Sequence, residues 1–185
     1  MWLNNYPAEF YEATRIQEAY LILHPQILER YDITREEFYD AFPRASNFSQ
    51  LKYPIVDEFW IDYWDSEWYY MSQRTDNLKL KREISEASKV KGQSKKQAYK
   101  YHQLLNQNEQ DRITFMRNAI TQKYNGSKWR NTQLLETGDR EIIEFTYWWD
   151  EFFWISNTTR TGRNILGKLL MEYRDDLLAR LNEYE

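Results

Sequence analysis

Cysteine is absent from this 185-residue chain, which excludes disulfides, thiolate metal sites and a cysteine nucleophile. The two histidines, His24 and His102, lie too far apart in sequence to suggest a zinc site of the usual spacing. Four prolines and five glycines are too few for a fold rich in tight turns, and instead point to helices joined by short connections. No uncharged apolar run is long enough to span a bilayer, and the start "MWLNNYPAEFYE" has no basic, then apolar, leader pattern. A reducing cytoplasm and no membrane partner are therefore expected. The net charge of −4 argues against bulk binding to nucleic acid but allows a local basic patch.

What the chain does have is aromatic residues, 17% of the total with eight tryptophans, alongside a strongly negative mean hydropathy. Such rings either fill a core or stack flat ligands. The length suits one domain. Periodicity predicts a helix or broken helix pair over Pro7–Glu29 and a capping box at Thr34 and Glu37 opening a helix to Phe42. A hairpin or pair of short strands is expected in Leu51–Tyr63, then a helix capped by Asp65 or Ser66. Further helices are expected over Leu80–Ser88, Lys95–Leu105, Glu109–Tyr124 and Asn131–Glu136, and Ile165–Asn182 has the clearest apolar face. The segment "REIIEFTYWWDEFFWIS" reads as a strand running into an aromatic loop.

Two stretches stand out chemically. In "DSEWYYMSQRT", Glu67, Tyr70, Met71 and Arg74 fall on one helical stripe, so a carboxylate and a guanidinium share a face that looks buried. Between Lys79 and Lys100, eight basic residues face Glu83 and Glu86, a pattern of either a solvated surface or a phosphate-contacting one.

The blocks "SNFS" at Ser46–Ser49, "DSEWYYMSQRT" at Asp65–Thr75 and "LLETGDREIIEFTYWWDEFFWISNTTRTGRNILGKLLMEYRDDL" at Leu134–Leu177 resemble, in order, those of the NADAR or YbiA-like family. The resemblance covers about Ala41 to Leu178 and leaves residues 1–40 as an expected helical extension before a domain over 41–185. It implies a mainly α, α+β domain with a few short strands, and an N-glycosidase without metal or cofactor. The bond cut would join ribose to nitrogen, in ADP-ribose attached to guanine in nucleic acid or in small riboflavin-pathway intermediates. Phage-borne relatives of this kind would reverse DNA ADP-ribosylation imposed by a host toxin.

By the same resemblance Glu67 is the carboxylate that steadies positive charge on the ribose. The second carboxylate is Glu151 by spacing or Asp150 by residue type. Trp154 would stack on base or sugar. Ser46, Asn47 and Phe48 would contact the ribose, with Tyr70 and Arg74 on the Glu67 face. The loop holding Arg160, Gly162, Arg163 and Asn164 would hold a diphosphate at a helix amino end. Three departures stand against full activity: Trp68 replaces a family histidine, Ile155 a glycine, and Asn108 a tryptophan whose loss implies that Tyr99 or Tyr101 takes over its task, that the substrate differs, or that catalysis is lost. The alternative is a relative that binds ADP-ribose, another nucleotide or a partner protein without turnover.

Overall fold

Helices carry the framework, and side-chain caps set where most of them begin. The computed structural model describes residues 2–4, 51–90, 100–146, 151–156 and 159–183. In chain order these hold β1 (Trp2–Asn4), β2 (Ile55–Val56), β3 (Asp62–Tyr63), α1 (Ser66–Gln73), α2 (Leu78–Ser88), α3 (Glu109–Tyr124), α4 (Lys128–Leu135), β4 (Ile143–Thr146), β5 (Ile155–Ser156) and α5 (Ile165–Asn182). The helices expected over Pro7–Glu29 and Thr34–Phe42 lie outside the described residues, as do Ser46, Asn47, Phe48, Asp150 and residues 95–99 of the helix expected over Lys95–Leu105.

The Asp65 carboxylate accepts from the Trp68 amide at 2.9 Å and opens α1. Asn77 accepts from the Lys79 and Leu80 amides at 3.0 and 3.2 Å, which starts α2 two residues before the expected Leu80. Asn108 accepts from the Asp111 amide at 3.1 Å, and Ser127 from the Arg130 amide at 3.5 Å, which moves the start of α4 ahead of the expected Asn131. Each such cap stabilises its helix by about 1 kcal/mol. Helix α3 stops at Asn125, followed by Gly126 at φ +69. A left-handed residue there ends the helix, as glycine does at low cost.

Strands β2 and β3 pair antiparallel with Ile55 opposite Tyr63, the expected hairpin shortened to two residues a side. The other sheet runs β1-β4-β5, all parallel, with Leu3 opposite Glu144 and Phe145 opposite Ile155. Residues 2–4, expected in a helical extension, thus form an outer strand of the domain's own sheet.

At the centre, α1 packs on both α2 and α3, while α5 packs on α3, α4 and β4. Every residue of α1 from Ser66 to Ser72 is buried. A helix buried all round needs its polar groups satisfied, and the Ser72 hydroxyl donates to the Tyr69 carbonyl at 2.8 Å. Trp68, Tyr63, Ile84, Met116, Ile120 and Phe153 form the most buried part of the core. Each side chain of this size gains roughly 1.5–3 kcal/mol from leaving water. Among the described residues no helix is long and apolar enough to cross a membrane.

Candidate functional site

Glu67 lies in the first turn of α1 and is 7% exposed. Its neighbours explain how a carboxylate tolerates that position. Lys123, on α3 and 2% exposed, feels Glu67, Asp65 and Glu144 together. Burial, followed by the nearby Arg130, pushes its ammonium down to about 7, and the three carboxylates pull the other way. Burial also pushes the Asp65 carboxyl well above the ordinary range, aided by the charge of Glu67 and opposed by the Trp68 amide and Lys123. One loop cap, two helices and a strand therefore converge on a buried acid–amine cluster. Among the described residues no group of three potential metal ligands is close enough to hold an ion.

Sequence reasoning missed Lys123 and Glu144, although both leave a trace. Met116, Ala119, Ile120, Lys123 and Tyr124 are the buried positions of α3, so the lysine lies on the apolar stripe at helical spacing. Glu144 alternates with the buried Ile142 along its strand and is itself 1% exposed.

The rest of the α1 stripe joins this cluster to the aromatic turn. The ring of Tyr70 meets Phe153 edge to face at 5.6 Å, lies beneath the Arg74 guanidinium at 5.2 Å, and its hydroxyl accepts from Arg112 Nε at 3.4 Å. Burial pushes the Tyr70 phenol up to about 12, with Arg74 and Arg112 opposing. Arg74 also donates from Nε to the Asn106 carbonyl at 2.9 Å, which clamps the connection leading to α3. Glu67 and Arg74 thus share a face with Tyr70 between them, and the guanidinium braces both that ring and a loop.

The second segment is assembled by backbone. Trp154 is buried, with its ring edge toward Phe153 at 5.8 Å. Gly162, at φ +141, passes so close that a Cβ would stand 2.1 Å from the Trp154 carbonyl oxygen. Asn164, at φ +50, accepts from the Glu144 amide at 3.2 Å and donates to the Ile142 carbonyl at 2.9 Å. Its carboxamide thereby fixes the strand that carries Glu144.

The start of α5, where a diphosphate cradle is expected, packs on the same segment. The Leu166 amide donates to the Phe153 carbonyl at 3.1 Å, and Gly167 lies against the Ile142 carbonyl, so this helix end faces protein. Two cations stand beside Phe152, the half-buried Arg112 at 4.4 Å from its ring and the exposed Arg163 at 4.5 Å. Arg163 is paired with Glu109 at 2.7 Å, and Arg160 is exposed at φ +60. Glu151 is exposed and accepts from the hydroxyls of Thr161 at 3.0 Å and Thr159 at 3.3 Å.

The departures from the family pattern take structural duties. Trp68 fills the core against Tyr101 at 6.1 Å, Asn108 caps α3, and Ile155 pairs in β5. Tyr99 lies outside the described residues.

Comparison with known proteins settles the lineage, since the NADAR domain matches residues 35–178. The chain belongs to the NADAR family. A solved structure of the Escherichia coli protein YbiA is similar to this fold, with a TM-score of 0.61 and 26% identity over 82% of this chain and 84% of that one. A riboflavin biosynthesis protein of Vibrio vulnificus is 31% identical over 113 residues, 60% of this chain. The chain spans only 30% of the length of that curated relative. NADAR proteins are N-glycosidase-like hydrolases, and a buried carboxylate within electrostatic reach of a lysine whose burial pushes its ammonium down to about 7 suits such chemistry: the acid can stabilise a cationic sugar and the amine can exchange a proton.

Proposed function

We propose that this NADAR protein is an N-glycosidase that hydrolyses a ribose–nitrogen bond, with ADP-ribose attached to guanine in DNA as its substrate. The observation that carries this reading is the buried Glu67 coupled to Lys123. As the carbon–nitrogen bond breaks, its electron pair leaves with nitrogen and positive charge spreads over the ribose ring. Glu67 stabilises that charge. The oxygen of a water molecule then bonds to the anomeric carbon, and a proton equivalent to the one the water gives up ends on the departing nitrogen. Lys123, which feels the charge of Glu67, would pass it on. Arg112 and Arg163, flanking Phe152, supply the positive rim for a diphosphate. In this role the protein would work in the cytoplasm, reversing a toxin's modification of DNA as a phage counter-defence.

A second reading takes its support from the Vibrio relative's name: a small ribosylamine phosphate of riboflavin metabolism as substrate. Offering the purified protein both substrates and following products by chromatography separates the two. The first reading expects free ADP-ribose and unmodified guanine DNA. Turnover of the small phosphate alone would replace it with the second, and binding of ADP-ribose with no release from any substrate would leave a non-catalytic binder.

A further inference from the structure

The loop between β2 and β3 is built to hold one large ring in water. Asp57 accepts through Oδ1 from the Phe59 and Ile61 amides at 2.9 and 3.0 Å, and through Oδ2 from the Tyr63 hydroxyl at 3.1 Å. The Trp60 amide donates to the Asp57 carbonyl at 3.1 Å, and the Asp57 amide to the Ile61 carbonyl at the same distance. This frame holds Trp60 at φ +60, a conformation that glycine adopts freely and a bulky L residue does not. Its side chain is 89% exposed. A tryptophan here strains the backbone and buries almost nothing, so folding does not account for it.

The surroundings indicate what the ring meets. Phe59 is exposed beside Trp60 on the turn, with the amine of the buried Lys81 over its ring at 5.5 Å, and at the open end of the hairpin the exposed Tyr53 has Lys52 over its ring at 5.3 Å. Helix α2, which carries the first part of the basic segment, is seated on the hairpin. The Ser85 hydroxyl donates to the Asp62 carbonyl at 2.7 Å, and Ser88 accepts from the Trp64 amide at 3.2 Å. Lys79 and Arg82 flank Lys81 on that helix and are exposed. Asp57 is turned inward, and Glu58 is an exposed acid at the tip. Displayed rings interleaved with cations match the requirements of single-stranded nucleic acid: bases stack on the rings while phosphates meet the cations.

We infer that the β2–β3 tip, with Trp60 at its apex and Phe59 beneath Lys81 beside it, is a docking surface for single-stranded DNA, with the exposed Lys79 and Arg82 of α2, the helix seated on the hairpin, meeting its phosphates. It rests on the glycosidase reading only for its purpose, delivery of a modified strand; the surface itself binds unmodified DNA. The test uses the full chain, a labelled unmodified single-stranded oligonucleotide and fluorescence anisotropy, with Trp60→Gly as the variant and Leu181→Ala, an exposed apolar position on α5, as control. Trp60→Gly should weaken binding about 5- to 150-fold, the loss expected for one stacked base. The same change should raise the melting temperature, because glycine relieves the backbone. Leu181→Ala should bind as the natural chain does, and binding should fall with salt. Equal binding by Trp60→Gly, or none by the natural chain at low salt, would overturn the inference. So would a dimer, seen in sedimentation, that Trp60→Gly abolishes while DNA binding is unchanged, since a second copy would then cover the tip. Glu67→Gln should bind this DNA normally, so failure here leaves the glycosidase reading intact, and failure of that reading leaves this one standing.

Discussion

Replacing Lys123 with methionine should change how stability depends on pH. In the unfolded chain the lysine keeps its proton up to the ordinary 10.5, whereas the folded protein releases it above about 7. Between those values the unfolded state holds more protons, so raising the pH favours the folded state by up to about 1.4 kcal/mol per unit. From pH 7.5 to 9.5, with titration incomplete at both ends, the gain is about 2.5 kcal/mol. The raised tyrosines, Tyr70 and Tyr124 among them, titrate above this window. Asp65 acts in the opposite sense, since its raised carboxyl makes stability fall as pH climbs above the ordinary 3.8; it is present in both proteins. Methionine has nearly the lysine's shape and no proton to lose. Urea unfolding, followed by tryptophan fluorescence at several pH values, should show the natural protein gaining on Lys123→Met by roughly 1 M in midpoint across the window, given slopes of about 2 kcal/mol per M. Parallel curves would mean that the lysine keeps its charge throughout, and the reasoning that makes it a proton carrier near neutrality would fail.

Two other substitutions probe the second segment. Gly162→Ala places a methyl 2.1 Å from the Trp154 carbonyl oxygen at φ +141; it should cost more than about 2 kcal/mol, seen as a lower melting temperature and a shifted tryptophan spectrum. Arg163→Ala removes an exposed pair with Glu109 and should change stability by less than about 1 kcal/mol, while raising KM for a diphosphate-bearing substrate several-fold. An unchanged KM would take Arg163 out of substrate binding.

Much of the helical framework was legible because start and stop signals are local. Helices α3 and α5 run over the residues expected, and the Asp65 cap and the Glu67–Tyr70–Arg74 stripe stand where their spacing places them. Boundaries slipped where a cap lay outside the apolar pattern, as at Asn77 and Ser127. The site was less legible, for physical reasons. Lys123 reads as solvent-facing until its stripe is matched with Glu67, Asp65 and Glu144, which come from distant parts of the chain. Asn164 bonds to a strand some twenty residues earlier, a partner that no local pattern announces. At the amino end of α5, the bond from the Leu166 amide to the Phe153 carbonyl depends on packing between segments and leaves no trace in local spacing.

The central claim is that Glu67 stabilises a cationic ribose while a nitrogen departs. Its most direct test is the single-turnover release of ADP-ribose from guanine-modified DNA by the natural protein and by Glu67→Gln, with substrate affinity measured for both. Loss of the charge at nearly constant shape should slow release by about 10²–10³-fold, the range for removing one such electrostatic group, with affinity nearly unchanged. Equal release rates from the two proteins would contradict the account.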